Sequence, residues 1–334
     1  MQDSAKTTPL HGWHGKAGAN MAVFGGYDMP LWYPTGAKQE HIAVLTGAGI
    51  FDTSHMAALT VEGPGSFDLL QRCFTKDLSS CIGKNKTPIE DGRCVYGIFL
   101  NRDGTTIDDA IVYRMGTTSY MIIVNAGMGG EIAVHLKTHT GSLEAEVTDL
   151  TDRLGKIDVQ GPLAARILQG VIKKSGEVFQ KMPYFSFKGH FDASSPLSEA
   201  VRLTNDAPLL LSRTGYTGEF GFELFMDASR LADTWEMILD AGSDFGITPC
   251  GLAARDSLRA GAVLPLSHQD IGHWPFLNNP WLFALPYNEA RTDFVKKFLG
   301  DEALRTAKDV HYTYPFAGYD LRKVSVSYTH LTLP

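Results

Sequence analysis

The fold is decided by RCVYGIFLNRDGTTIDDAIVYRMGTTSYMIIVNA, residues 93–126. Three runs rich in β-branched and aromatic residues are separated by two turn signals, NRDG and MGTT, which is the pattern of a β-meander. The middle run carries two adjacent carboxylates, Asp108 and Asp109, although strands disfavour aspartate. Alternation along a strand puts Asp109 on one face with Ile107, Ile111 and Tyr113, and Asp108 on the other with Ala110, Val112 and Arg114. Such an acid is either a turn-side structural group or a carboxyl of raised pKa facing a pocket.

Outward from the meander the pattern stays mixed. On the N-terminal side, residues 36–46 read as a helix with Ile42 and Leu45 inward, and LTVEGPGSFDLLQRCF as strand, turn and amphipathic helix. On the C-terminal side EIAVHLKTH is helical, and GKIDVQGPLAARILQGVI runs from strand into helix. APLLLSRTGYTGEFGFELFMD is a second hairpin, followed by a helix capped by Asp227 or Ser229 with Leu231, Trp235, Ile238 and Leu239 on one face. GLAARDSLRAG is a further helix, and WPFLNNPWLFALP marks a boundary. The class is α+β, with mostly antiparallel sheets and packed helices.

The chain of 334 residues carries a net charge of -7 and is 44% hydrophobic. Its length suggests more than one packed unit. No lysine/arginine run stands out, which argues against a nucleic-acid or anionic-membrane partner. Four cysteines without a C-x-x-C pair, no leader-like N-terminus and no apolar run of spanning length point to a cytoplasmic protein.

Other constellations are weaker. VNAGMGGEI lacks the last glycine of a dinucleotide fingerprint. His135 and His139 have metal-pair spacing but no evident third ligand, so surface histidines are the simpler reading. His268, Asp270 and His273 lie close in a loop without regular spacing, and no metal site is assigned. Arg255 and Arg259 share a helical face and read, alone, as surface charges. In SRTGYTGEFGFEL a tyrosine hydroxyl and a glutamate carboxylate would lie near one another.

Taken in order, TPLHGWHGKAGANMAVFGGYDMPLWY, GIFDTSHM, NRDGTTIDDAIVYR, VNAG, QGP, SRTGYTGEFGFEL and GLAARDSLR resemble the glycine-cleavage T-protein family, the tetrahydrofolate-dependent aminomethyltransferases. The resemblance runs from about Thr8 to Ser325. It implies an aminomethyltransferase fold over residues 1–280, built of two interleaved subdomains, and the start of a C-terminal β-barrel over 281–325. It also implies tetrahydrofolate as co-substrate and the lipoylated H-protein as partner. By the same resemblance Asp109 is the catalytic carboxylate and Asp108 its structural neighbour. Glu223 and Tyr216 would hold the pteridine, with Tyr96, Val124, Asn125, Arg255 and Met56 lining the pocket. The reaction implied moves a one-carbon unit from aminomethyl-dihydrolipoyl H-protein to tetrahydrofolate, giving methylene-tetrahydrofolate and ammonia. Rival readings are a folate-dependent demethylase of a small methylated donor and a non-catalytic folate-binding accessory protein, whose K-G-C-Y-x-G-Q-E motif is not found here. SHQDIGHWPFLNNPWLFALPYN departs from the family near its lipoyl-arm entrance. The final VSYTHLTLP, residues 326–334, resembles a translated sequencing adaptor, so the barrel is expected to be truncated.

Overall fold

A computed structural model describes residues 5–272, 274–307 and 312–315. The chain opens with the short helix α1 (His11–Lys16) and a two-stranded hairpin, β1 (Asn20–Phe24) and β2 (Tyr27–Trp32). Helix α2 (Ala37–Thr46) leads into β3 (Gly49–Asp52), β4 (Ala57–Glu62) and α3 (Ser66–Cys73). The predicted meander follows as β5 (Cys94–Leu100), β6 (Thr106–Gly116) and β7 (Ser119–Val124), then α4 (Gly129–Thr138), β8 (Glu146–Asp149) and β9 (Leu154–Gln160). Helices α5 (Ala164–Leu168) and α6 (Ser175–Val178) precede β10 (Phe187–Gly189), and the second predicted hairpin is β11 (Leu210–Ser212) with β12 (Gly221–Asp227). Helix α7 (Leu231–Gly242), β13 (Thr248–Pro249), α8 (Leu252–Gly261) and α9 (Asp301–Thr306) complete the set.

Two sheets carry the architecture. Five antiparallel strands run in the order β5-β6-β7-β4-β8, and six in the order β10-β11-β12-β9-β3-β13, where only the β13–β3 pair is parallel. Side-chain alternation assigns each face a partner. On the five-stranded sheet Leu59, Val112, Ile122 and Val124 pack under α3 and α4 with Leu69, Leu70, Ile132 and Leu136. On the six-stranded sheet Ile157, Val159, Phe222 and Leu224 pack with Ile167 of α5 and Trp235 of α7. The remaining faces meet each other, with Ala58, Tyr113, Met121 and Ile123 against Phe187, Leu210 and Phe225. The result is helix, sheet, sheet, helix.

Two expectations fail locally. Helix α2 forms, but Ile42 and Leu45 are exposed while Glu40 and Val44 are buried. The Glu40 carboxylate accepts from the backbone N–H of Tyr33 at 2.6 Å and of Gly251 at 2.9 Å, and so turns its own face inward. In β6 the pairing steps from Phe99↔Asp108 to Leu100↔Thr106, which leaves Ile107 as the extra residue of a β-bulge. Ile107 therefore joins Ala110 and Val112 in the helix-covered core instead of sharing the face of Asp109. Residues 276–304 fold back on β5, where Phe276, Leu285, Phe298 and Leu304 bury Ile98 and Leu100. The proposed adaptor segment lies outside the described residues, as does most of the expected barrel start beyond residue 307.

Candidate active site

Parity builds the site. On β6 the alternate residues Asp109, Ile111 and Tyr113 point into the space between the sheets. On the facing sheet β9 contributes Lys156 and Asp158, and β12 contributes Glu223. Strand register aligns these groups, since Glu223 pairs with Asp158, and Phe51 pairs with Asp158 from the other side.

The first half of the site is the acid pair. Asp108 is wholly buried and accepts three hydrogen bonds, from the Asn125 backbone N–H, the Asn125 amide and the Ser267 hydroxyl, each at 2.8 Å. Asp109 is half-buried and accepts from the Tyr96 hydroxyl at 2.9 Å and the Asn125 amide at 2.6 Å. Both acids thus share one side-chain NH2. Neither has a cation within ion-pairing distance among the described residues. Burial and the neighbouring Asp109 charge push Asp108 up to about 7, and burial likewise raises Asp109 against the pull of Tyr96 and Asn125. Neutral donors and, among the described residues, no cation surround both acids, so burial, with the repulsion of Asp109 on Asp108, keeps both carboxyls above the usual carboxylate range.

The second half is an ion network. Lys156 Nζ donates to Asp158 at 2.5 Å, to Glu223 Oε1 at 2.6 Å and to the Thr53 hydroxyl at 3.1 Å. Arg255 donates to the other Asp158 oxygen at 2.7 Å. Burial would raise Asp158, but Lys156 and Arg255 hold it below the usual carboxylate range. Glu223 Oε2 accepts from Thr214 and, more loosely, from the Tyr113 hydroxyl at 3.4 Å. Both oxygens of Glu223 are therefore engaged, and paired donors from a ligand would have to compete with Lys156 and Thr214. Arg255 and Arg259 are buried, unlike the surface charges their spacing suggested. Arg259 is tied to Asp256 and Asp270.

Tyr216 joins the halves. Its ring lies against the Arg255 guanidinium at 4.8 Å, and its hydroxyl donates to the Pro265 carbonyl instead of approaching Glu223. Two residues further on, Ser267 holds Asp108. The segment 264–271 thus fastens both sides of the cleft, and Asp270 serves there as partner to Arg259. His273 falls outside the described residues. Met56 is half-buried beside the inter-sheet core. Val124 is fully buried beneath the sheet, so its side chain belongs to the helix-covered core and not to the cleft. His55 is buried nearby, and burial with the Arg255 charge pushes it down to about 4, which keeps it neutral.

The expected residues Tyr96, Asp109, Asn125, Tyr216, Glu223 and Arg255 are thus assembled around one inter-sheet space. Sequence reading missed Lys156, Asp158, Tyr113 and Ser267. The first two had a signal, since two charges two residues apart in the strand GKIDVQ mark one face as polar.

Residues 10–274 match the family described as the GCVT N-terminal domain. An aminomethyltransferase of Symbiobacterium thermophilum is 35% identical over 96% of this chain and 80% of its own length. The chain belongs to the glycine-cleavage T-protein family of aminomethyltransferases. An aminomethyltransferase of Shouchella clausii is also 35% identical, over 92% of this chain and 77% of the relative. The crystal structure of the glycine cleavage system aminomethyltransferase T from Bartonella henselae superposes with a TM-score of 0.73 at 29% identity, covering 90% of this chain and 74% of that one. Family membership makes the chain an aminomethyltransferase by class and agrees with the α+β architecture. No helix among the described residues is long and apolar enough to cross a membrane.

Proposed function

We propose that this chain moves the one-carbon unit of aminomethyl-dihydrolipoyl H-protein to tetrahydrofolate in the cytoplasm, releasing ammonia and giving methylene-tetrahydrofolate. The observation that carries this reading is Asp109, a half-buried carboxylate without a cation partner among the described residues, aimed between the sheets and held only by neutral donors. A reduced pteridine fits such a place, because a flat ring with N–H donors finds the acceptor Asp109 and the aromatic rings of Tyr96 and Tyr216. Tetrahydrofolate supplies the nucleophilic nitrogens that accept the carbon.

The chain's own residues supply position and charge. Asp109 faces the carbon as positive charge develops there, and a preorganised carboxylate in a water-poor cleft stabilises that charge strongly. Tyr96 and Asn125 fix its orientation. Asp108 anchors Asn125 and the 264–271 segment, and burial raises the neighbouring Asp109 carboxyl, which suits it to take up or return a proton. Arg255 and Tyr216 form the wall toward the ion network.

The test measures methylene-tetrahydrofolate formed from aminomethylated H-protein by the wild-type chain and by Asp109→Asn. Turnover should fall by about 10²-fold or more while tetrahydrofolate binding persists. Equal turnover in both proteins would sink the assignment of Asp109. Folate binding without any turnover by the wild type would favour a free methyl donor.

A further inference from the structure

A second cluster lies on the far side of the five-stranded sheet, away from the cleft. Helix α3 ends at Cys73, and α4 carries His135 and, one turn later at its C-terminal cap, His139. Both helices cover the same sheet face, so Cys73 shares a core with Ile132 and Leu136. The Cys73 sulfur and one ring nitrogen of each histidine all lie within 4.8 Å of one another. The histidines are not the surface pair their spacing suggested, since both are half-buried and their rings stand 4.8 Å apart.

Two details point to a ligand. His139 Nδ1 lies 2.8 Å from the His135 carbonyl, which can only accept, so Nδ1 carries the hydrogen and Nε2 is left with its lone pair. That back-bond to a carbonyl is how metal-binding imidazoles are commonly oriented. His135 Nε2 is buried and has no hydrogen-bond partner, a cost that an unfilled site leaves and a bound ion removes. Burial and the neighbouring His139 also push His135 down to about 4, so its ring is neutral at physiological pH.

We propose that Cys73, His135 and His139 form a binding site for a divalent transition ion of the zinc class. One thiolate and two imidazoles are the donor set that a borderline-soft ion selects. Bonds of about 2.0–2.3 Å would bring the three donors closer than they now stand, a movement of roughly an ångström within reach of side-chain rotation. On binding, the Cys73 thiol gives its proton to solvent and the sulfur donates an electron pair to the ion. Burial pushes the Cys73 thiol up to about 12, and the Arg72 and Lys296 charges offset only part of that, so the thiolate forms only as the ion takes the place of the proton. A fourth position is left for water. The ion would tie the end of α3 to α4, independently of what binds in the cleft.

Cobalt(II) titrated into the full-length, chelator-treated protein reads the site directly. One equivalent should bind with a thiolate-to-cobalt charge-transfer band, and zinc should displace it. Cys73→Ser should abolish the band, and His135→Asn and His139→Asn should each weaken cobalt binding at least tenfold. Cys73 is a core residue, so should Cys73→Ser not fold, His139→Asn at the helix end carries the test. A folded His139→Asn that binds cobalt as tightly as wild type overturns the proposal. So does the absence of a saturable charge-transfer band in the wild type, or its survival in a folded Cys73→Ser. None of these readouts depends on aminomethyl transfer.

Discussion

Asp108 and Asp109 differ by one position and by almost everything else. Asp108 is saturated with donors and dry; Asp109 keeps an open side. Asp108 is held near 7 in the fold against about 4 in an unfolded chain. A group raised in this way contributes stability that is whole below about 4 and is lost as pH rises through about 7. The wild type should therefore lose urea resistance between about pH 4 and 7 by this contribution, and Asp108→Asn should flatten that slope; parallel slopes would remove the raised acid from the account. Lys156 is the opposite case, a cation shared by two buried carboxylates. Lys156→Met leaves Asp158 with Arg255 alone and Glu223 with no cation partner among the described residues, and urea unfolding should show a loss of about 3–5 kcal/mol. The same change frees Glu223 Oε1, so a pteridine held there as the family resemblance implies should bind more tightly per folded molecule. The acid pair was legible because aspartate is out of place in a strand. Lys156 and Asp158 carried a signal of the same kind, yet the link from Lys156 to Glu223 depends on β9 lying beside β12, and no local pattern specifies which strands become neighbours.

At the scale of elements, the meander, the β11–β12 hairpin and α7 appear where periodicity and turn residues put them, because their apolar stripes are simple. Helix α2 shows where that logic stops. Ile42 and Leu45 predict its inward face, but Glu40 is the residue drawn inside, by the backbone N–H of Tyr33 just before the helix and that of Gly251 far along the chain. Tertiary hydrogen bonding outweighed side-chain hydrophobicity. Glu40→Ala should cost about 3 kcal/mol by denaturant unfolding, because it strands the N–H groups of Tyr33 and Gly251 in a buried place. A loss below about 1 kcal/mol would mean that water replaces the carboxylate. The bulge at Ile107 was similarly hidden, since an extra residue leaves no mark on composition and emerges only from the register with β5.

The whole molecule is two sheets with separate helix-backed cores, and what lies between them is mostly polar only at the site. Such a cleft needs a clamp. The segment 264–271 provides one by holding Tyr216 through Pro265, Asp108 through Ser267 and Arg259 through Asp270. Ser267→Ala should lower stability by only about 1 kcal/mol, while aminomethyl transfer falls more than that loss accounts for, because the clamp reaches the acid pair. Unchanged turnover at full folding would show that Ser267 is merely a hydrogen-bond filler. The aminomethyltransferase family could be recognised from residue motifs, whereas this clamp could not, because the segment is irregular and departs from the family's usual sequence.

The ion network between the sheets contains two basic and two acidic side chains, all buried: Lys156 and Arg255 with Asp158 and Glu223. Dissolved ions cannot enter such a group, and its charges sum to zero, so added sodium chloride should leave small-molecule binding at the cleft floor almost untouched. Docking of the proposed H-protein partner, to the extent that it uses solvent-exposed charges, would instead be screened as salt is added. Ionic strength thereby becomes a way to tell the two encounters apart without altering a single residue.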